Sequence, residues 1–157
     1  IGAPLRRTAV RFAWEAVAFA EIRDLNRHRT GSKHCPPVPV GFYAATDQLP
    51  APDAPDREHA PVAALEAAVA FGRDLARRAH ERLAAGDPTY VYWTLLGTQF
   101  PFEHITTAAK FIYEAELRTG AGAHYRYARH LHDALALWFK RYPETRPFVL
   151  EGSAEPE

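Results

Sequence analysis

The sequence predicts an α+β fold in which several long helices pack on a small, mostly antiparallel sheet, and three observations carry that expectation. Val62, Leu65, Val69, Leu75, Ala76, Ala79 and Leu83 recur at intervals near three and four, the period of an amphipathic helix, until Gly86, Asp87 and Pro88 stop the pattern. A second amphipathic stretch covers roughly Ala123 to Arg141. Against these helices, Thr8, Val10 and Phe12 alternate with Ala9, Arg11 and Ala13 at the period of a strand, and Phe102 to Thr107 reads as another.

The remaining elements follow in order. The first strand is expected to enter a helix near Trp14 that runs to about Arg29, with Val17, Ala18, Ala20 and Ile22 interrupted by Glu15, Glu21, Arg23 and Asp24. From Cys35 to Pro61 the chain carries seven prolines, and Val38, Val40, Phe42 and Tyr43 form the one strand-like patch. Proline fixes φ and removes a donor, so that patch is expected to be an edge strand or extended loop, with Ala51 to His59 a surface loop. Tyr90 to Leu96 reads as a short helix or strand, and Phe111, Ile112, Ala115 and Leu117 mark a further helix.

A length of 157 residues suits a single domain spanning 1–157. The 19 basic and 19 acidic residues cancel, so no bulk charge draws the chain to nucleic acid or to a membrane, and any anion site must be local. One cysteine, Cys35, builds no internal disulfide framework and no cysteine-rich metal site, which fits a cytoplasmic setting. No apolar run approaches the roughly 20 residues a membrane helix needs. The chain contains no Met and opens Ile1, Gly2, Ala3, Pro4, so it is expected to be an excised, C-terminal part of a longer protein.

Two short segments concentrate cationic and imidazole groups where helices are expected to end. The first is Arg27, His28, Arg29, Thr30, Gly31, Ser32; the second is Leu117, Arg118, Thr119, Gly120, Ala121, Gly122, Ala123, His124. Basic residues in a last helical turn complement the helix dipole, and a following Gly is a common stop, so each segment taken alone reads as an ordinary helix terminus. Taken together, the pair resembles the flavin-dependent thymidylate synthase family. That family carries an Arg-His-Arg-x-x-Ser signature after a helix and a downstream Leu-Arg element followed by His, in this order and at about this separation.

The resemblance implies that family's α+β fold and its chemistry: methylation of dUMP to dTMP with methylenetetrahydrofolate as one-carbon donor, FAD as hydride carrier and NADPH as reductant. It assigns Arg27, His28, Arg29, Ser32 and His124 to the flavin and Arg118 to the nucleotide; no catalytic residue and no metal is assigned. It also implies a homo-oligomer, or pairing with a sister domain. Arg suits such ligands because its planar fork binds phosphate bidentately.

Departures from the pattern bear on activity. The family's Asn, Glu, Ser and Arg after the signature fall here at His34, Cys35, Pro37 and Pro39. Proline supplies no donor, and each lost charge-assisted hydrogen bond costs on the order of 1.5–3 kcal/mol. Upstream of Arg118, the family's flavin-contacting side chains are replaced by Thr107, Ala109 and Tyr113. Leu96 to Gln99 and Glu114 to Gly120 are more similar to longer relatives with two such domains in tandem. The resemblance therefore points to a degenerate domain whose isolated fragment is weakly active or inactive. The alternatives are a non-catalytic structural or oligomerisation domain partnering a competent half, and a C5-methylase of another pyrimidine nucleotide. Pro101, Phe102, Glu103, His104 resembles a family segment that lies before the signature there and after it here, and it is read as coincidence.

Other clusters read as ordinary. Cys35 beside cations lacks catalytic spacing. His130 and His132 diverge by about 200° on a helix and, with His124 and Asp133, do not converge on one ion. Arg73, Arg77, Arg78 and Arg82 interleave with Glu66, Asp74 and Glu81, which favours pairing along the helix over nucleic-acid binding.

Overall fold

The computed structural model describes residues 2–120 and 125–153, and has the expected α+β architecture. Its elements are α1 (Ala3–Arg7), β1 (Ala9–Ala18), α2 (Phe19–Leu25), β2 (Ser32–His34), β3 (Gly41–Phe42), α3 (Val62–Ala84), β4 (Thr98–Thr107), α4 (Ala108–Thr119) and α5 (Tyr125–Arg141). β4 lies between β1 and β2 in the sheet order, and β3 pairs with β4 as well. Two compact units divide the chain: Ile1–Ala13, Arg23–His34 and Glu103–Glu157 make the first, Trp14–Ile22 and Cys35–Phe102 the second.

In the first unit β2 runs antiparallel to β4, with Ser32 opposite Ile105, Lys33 opposite His104 and His34 opposite Glu103. Gly31 makes the entry possible. Its φ is +69°, and a Cβ there would sit 2.0 Å from the Ile105 carbonyl oxygen. Thr107 Oγ1 accepts from Lys110 N at the start of α4, while Ala108 N donates to the Thr8 carbonyl. The core is aromatic: Phe111 meets Phe12 at a 4.3 Å centroid distance and Trp138 of α5 at 6.3 Å. At the far end of α4, Leu150 N donates to Glu116 Oε1 and Gly152 N to Thr119 Oγ1.

In the second unit β3 pairs antiparallel with β4, Gly41 opposite Gln99 and Phe42 opposite Thr98. Phe42 also packs on α3, where Gly72 leaves room for its ring; a Cβ on Gly72 would fall 2.3 Å from it. Asp87 accepts from Thr89 N and starts a short 3-10 helical stretch, Pro88–Trp93.

Three expectations change. The strand does not give way to a helix near Trp14. Alternation continues through Trp14 and Ala16, and the helix starts only at Phe19, where Glu21 Oε2 accepts from Ala18 N. That helix ends at Leu25 rather than Arg29, so Arg27 to Arg29 lie in the turn beyond it. β4 starts at Thr98 rather than Phe102, because its inward positions Thr98, Phe100, Phe102, His104 and Thr106 hold one continuous period of two. Pro101 is accommodated because it lies between the stretches registered with β3 and β2. Of the two options for Tyr90 to Leu96 the structure has the short helix, a 3-10 turn that ends at Trp93, and Ala123 lies outside the described residues. The edge strand at Phe42 and the helices over 62–84 and to Arg141 stand as expected.

Candidate functional site

The first unit holds a cluster of ionisable side chains drawn from three places in the sequence. The turn after α2 brings His28 and Thr30, β2 brings Lys33, β4 brings His104, and α4 brings Glu114 with Arg118 four residues on. Arg118 Nε donates to His28 Nε2 at 2.5 Å, and Lys33 Nζ donates to the His28 carbonyl. The Arg118 guanidinium also lies over the Tyr127 ring, 5.3 Å from its centroid. His104 and Glu114 are almost fully buried, with His104 Nδ1 3.7 Å from Glu114 Oε2 and His104 Nε2 2.9 Å from the Thr30 carbonyl.

Burial governs the protonation states. It raises the Glu114 carboxyl to about 7, with Lys33, Arg118 and the Thr30 hydroxyl opposing the shift. Neither Glu114 oxygen completes a hydrogen bond of normal geometry among the described residues, nor does Thr30 Oγ1. Burial, then Arg118, Lys33 and His104, lowers His28 to about 4. His104 falls below its usual value through burial, opposed by its bond to Thr30 and assisted by Lys33. Lys33 is lowered by burial, Glu114 opposing. At neutral pH both imidazoles are therefore uncharged. Because His28 accepts at Nε2, its proton sits on Nδ1; because a carbonyl accepts only, His104 carries its proton on Nε2 and turns a lone pair on Nδ1 toward Glu114.

The sequence-predicted residues separate into two sets. His28 and Arg118, one from each motif, touch. Arg27 turns back onto Asp24 at 3.2 Å with its side chain 70% exposed, and Arg29 and Ser32 are exposed. His124 lies outside the described residues. Lys33, His104 and Glu114 were not among the candidates. Two of them left a signal: His104 holds an inward place in the β4 alternation, and Glu114 stands at the helical interval of four from Arg118, beside Phe111 and Ala115 on the buried face of α4. The segment Pro101 to His104, read as coincidence, thus supplies a member of the cluster.

The other clusters behave as ordinary structure. Burial pushes the Cys35 thiol up, away from thiolate. On α3, Arg77 bonds Asp74 and Glu81, Arg78 bonds Asp74 at 2.7 Å, and Arg82 bonds Asp87 at 2.6 Å while lying over Trp93. His132 faces Glu151 at 3.5 Å. Among the described residues no three His, Cys, Asp or Glu side chains gather as metal ligands, and no helix is long and apolar enough to cross a membrane.

No protein-family model matches the chain, and no curated protein sequence matches it. Among solved structures the chain shares its fold with a nucleotide methylase. That protein is the UMP/dUMP methylase PolB from Streptomyces cacaoi, whose crystal structure holds 5-Br dUMP; the match has a TM-score of 0.60 at 13% identity and covers 88% of this chain and 69% of PolB.

Proposed function

We propose that this chain is a pyrimidine-nucleotide methylase-like domain of the flavin-dependent thymidylate synthase kind. Its ligand site is centred on Arg118 and His28. The observation that carries the reading is their direct contact: two motifs 90 residues apart in sequence meet in one place. The fold shared with PolB, a methylase of UMP and dUMP, supports it.

The residues suit an anionic ligand. Arg118 spends its Nε on His28 and its face on Tyr127, which leaves both Nη groups without a partner among the described residues and fixes the plane of the fork. Lys33 stands beside it as a second cation. Exposed Arg27 and Arg29 would meet the FAD pyrophosphate, with Ser32 donating from the start of β2. FAD, when bound, supplies hydride drawn from NADPH, and methylenetetrahydrofolate supplies the carbon. This chain's part is to bind and orient the dUMP phosphate through Arg118 and Lys33 while His28, neutral, holds Arg118 in place. A second copy or a sister domain of a longer protein would provide the phosphate donors that Pro37 and Pro39 do not.

A second reading, a non-catalytic partner domain, is favoured by one observation. Pro39 is buried and its carbonyl binds His80 Nδ1 at 3.1 Å, so the place of a nucleotide-binding Arg is given to packing. Titration with FAD and with dUMP, followed by flavin absorbance and tryptophan fluorescence, separates the two. Saturable binding of both, with dUMP lost in Arg118→Ala and FAD weakened in Arg27→Ala, is expected. Absence of binding by the folded wild-type chain contradicts the enzyme-like reading and leaves the partner domain.

A further inference from the structure

We propose that Glu114 gates the anion site of Arg118 and Lys33: as a carboxylate it occupies their charge, and as a neutral acid turned to His104 it releases them for an anionic ligand. The inference rests on the reading that Arg118 and Lys33 bind an anion.

Geometry carries it. Glu114 lies one helical turn before Arg118 and shares its face of α4, so the carboxylate and the guanidinium are neighbours on one rigid element. Lys33 stands opposite His104 in the β2–β4 register, and its charge, with the Thr30 hydroxyl of the turn before β2, acts on the same carboxyl. From β4, His104 presents Nδ1 at 3.7 Å, with its other nitrogen committed to the Thr30 carbonyl. The helices α1 and α5 also pack on α4, the first carrying Arg6 and Arg7 and the second Arg126, Arg129 and His130; the cations that act on Glu114 are Lys33 and Arg118.

The two protonation states therefore have different partners. A protonated Glu114 has an O–H to offer the His104 Nδ1 lone pair, and a side-chain shift that shortens the 3.7 Å separation to hydrogen-bond distance would complete a line from the carboxyl through the imidazole to the Thr30 carbonyl. No proton leaves the line, and no charge remains in it. An ionised Glu114 has no hydrogen of its own to give, turns its charge to the Thr30 hydroxyl, and depends on Lys33 and Arg118 for compensation. The carboxyl's shift to about 7 places the exchange between these states at neutral pH. Burial lowers His28 to about 4 and lowers His104 from its usual value, which favours the neutral imidazole beside the carboxyl.

By linkage, an anion on Arg118 and Lys33 must favour the protonated carboxyl, and protonation must favour the anion by the same factor. Sulfate is the appropriate probe, because its charge does not change between pH 6 and pH 8, whereas a nucleotide phosphate titrates. The wild-type chain should bind sulfate roughly tenfold more tightly at pH 6 than at pH 8. Glu114→Gln should bind at both pH values with the wild-type pH 6 affinity. Should that variant fold poorly, the wild type alone decides the matter: saturating sulfate must raise the carbon-13 titration midpoint of the Glu114 carboxyl by about one pH unit.

Sulfate binding of equal strength at both pH values, or an unmoved Glu114 midpoint, overturns the gate while leaving the anion site intact. Absence of sulfate and dUMP binding at either pH overturns both the gate and the reading beneath it.

Discussion

Two regions of this molecule use the same chemistry to opposite ends. On α3, in the second unit, Asp74 sits in water between Arg77 and Arg78, and its hydrogen bond to Arg77 holds its carboxyl below the usual range. In the first unit, Glu114 also has two cations beside it, Lys33 and Arg118, yet its carboxyl rises to about 7. The number of positive neighbours is the same. The difference is solvent: 1% of Glu114 is exposed, and the cost of desolvating its charge exceeds what two cations return. An acid beside arginines thus marks a solvated face in one place and a perturbed, chemically responsive group in the other.

The comparison can be broken most severely at Gly31. Gly31→Ala forces a left-handed conformation on an L side chain and drives its Cβ toward the Ile105 carbonyl, so a loss of about 3 kcal/mol or more is expected in urea unfolding. Next in size is Glu114→Gln. A folded-state value above the unfolded 4.5 means that stability from this group is complete below pH 4.5 and is lost as pH rises through 7. Removing the ionisation should raise stability at pH 8 by on the order of 2–3 kcal/mol relative to wild type.

His28 has the opposite sign. Its folded value near 4 lies below the unfolded 6.5, so its contribution is present above pH 6.5 and declines as pH falls toward 4. Wild-type stability should therefore decline on both sides of its maximum, whereas Glu114→Gln should retain only the acid-side decline; thermal melts from pH 4 to pH 9 check this.

The second unit should respond more mildly. Gly86 has a φ of +74° like Gly31, but nothing lies within 4 Å of its Cβ position, and Gly86→Ala should cost only about 1 kcal/mol. Smallest of all, Asp74→Asn should leave the melting temperature unchanged within error, since this exposed pair is screened by water.

How much of this was legible beforehand depended on whether the deciding contact was local. The α3 helix and the edge strand at Phe42 follow from periodicity and proline placement, both short-range properties. The early strand runs further than its residues suggest, because Val17, Ala18 and Ile22 also fit a helical face and the pairing that fixes β1 as a strand is distant in sequence. The site divides in the same way. Arg27, His28, Arg29 and Arg118 stand out as charge beside glycine. His104 and Glu114 do not, because what makes them unusual is dry surroundings assembled from Phe111, Ala115 and the inward face of β4.

The most direct test of that contrast is one carbon-13 carboxyl titration of the folded wild-type chain, following Glu114 and Asp74 in the same spectra. A Glu114 midpoint near 7 and an Asp74 midpoint below 3.8 are expected. A Glu114 midpoint near 4.5 would contradict it, for the carboxyl would then be solvated and the cluster around Arg118 and His28 would be an ordinary polar surface.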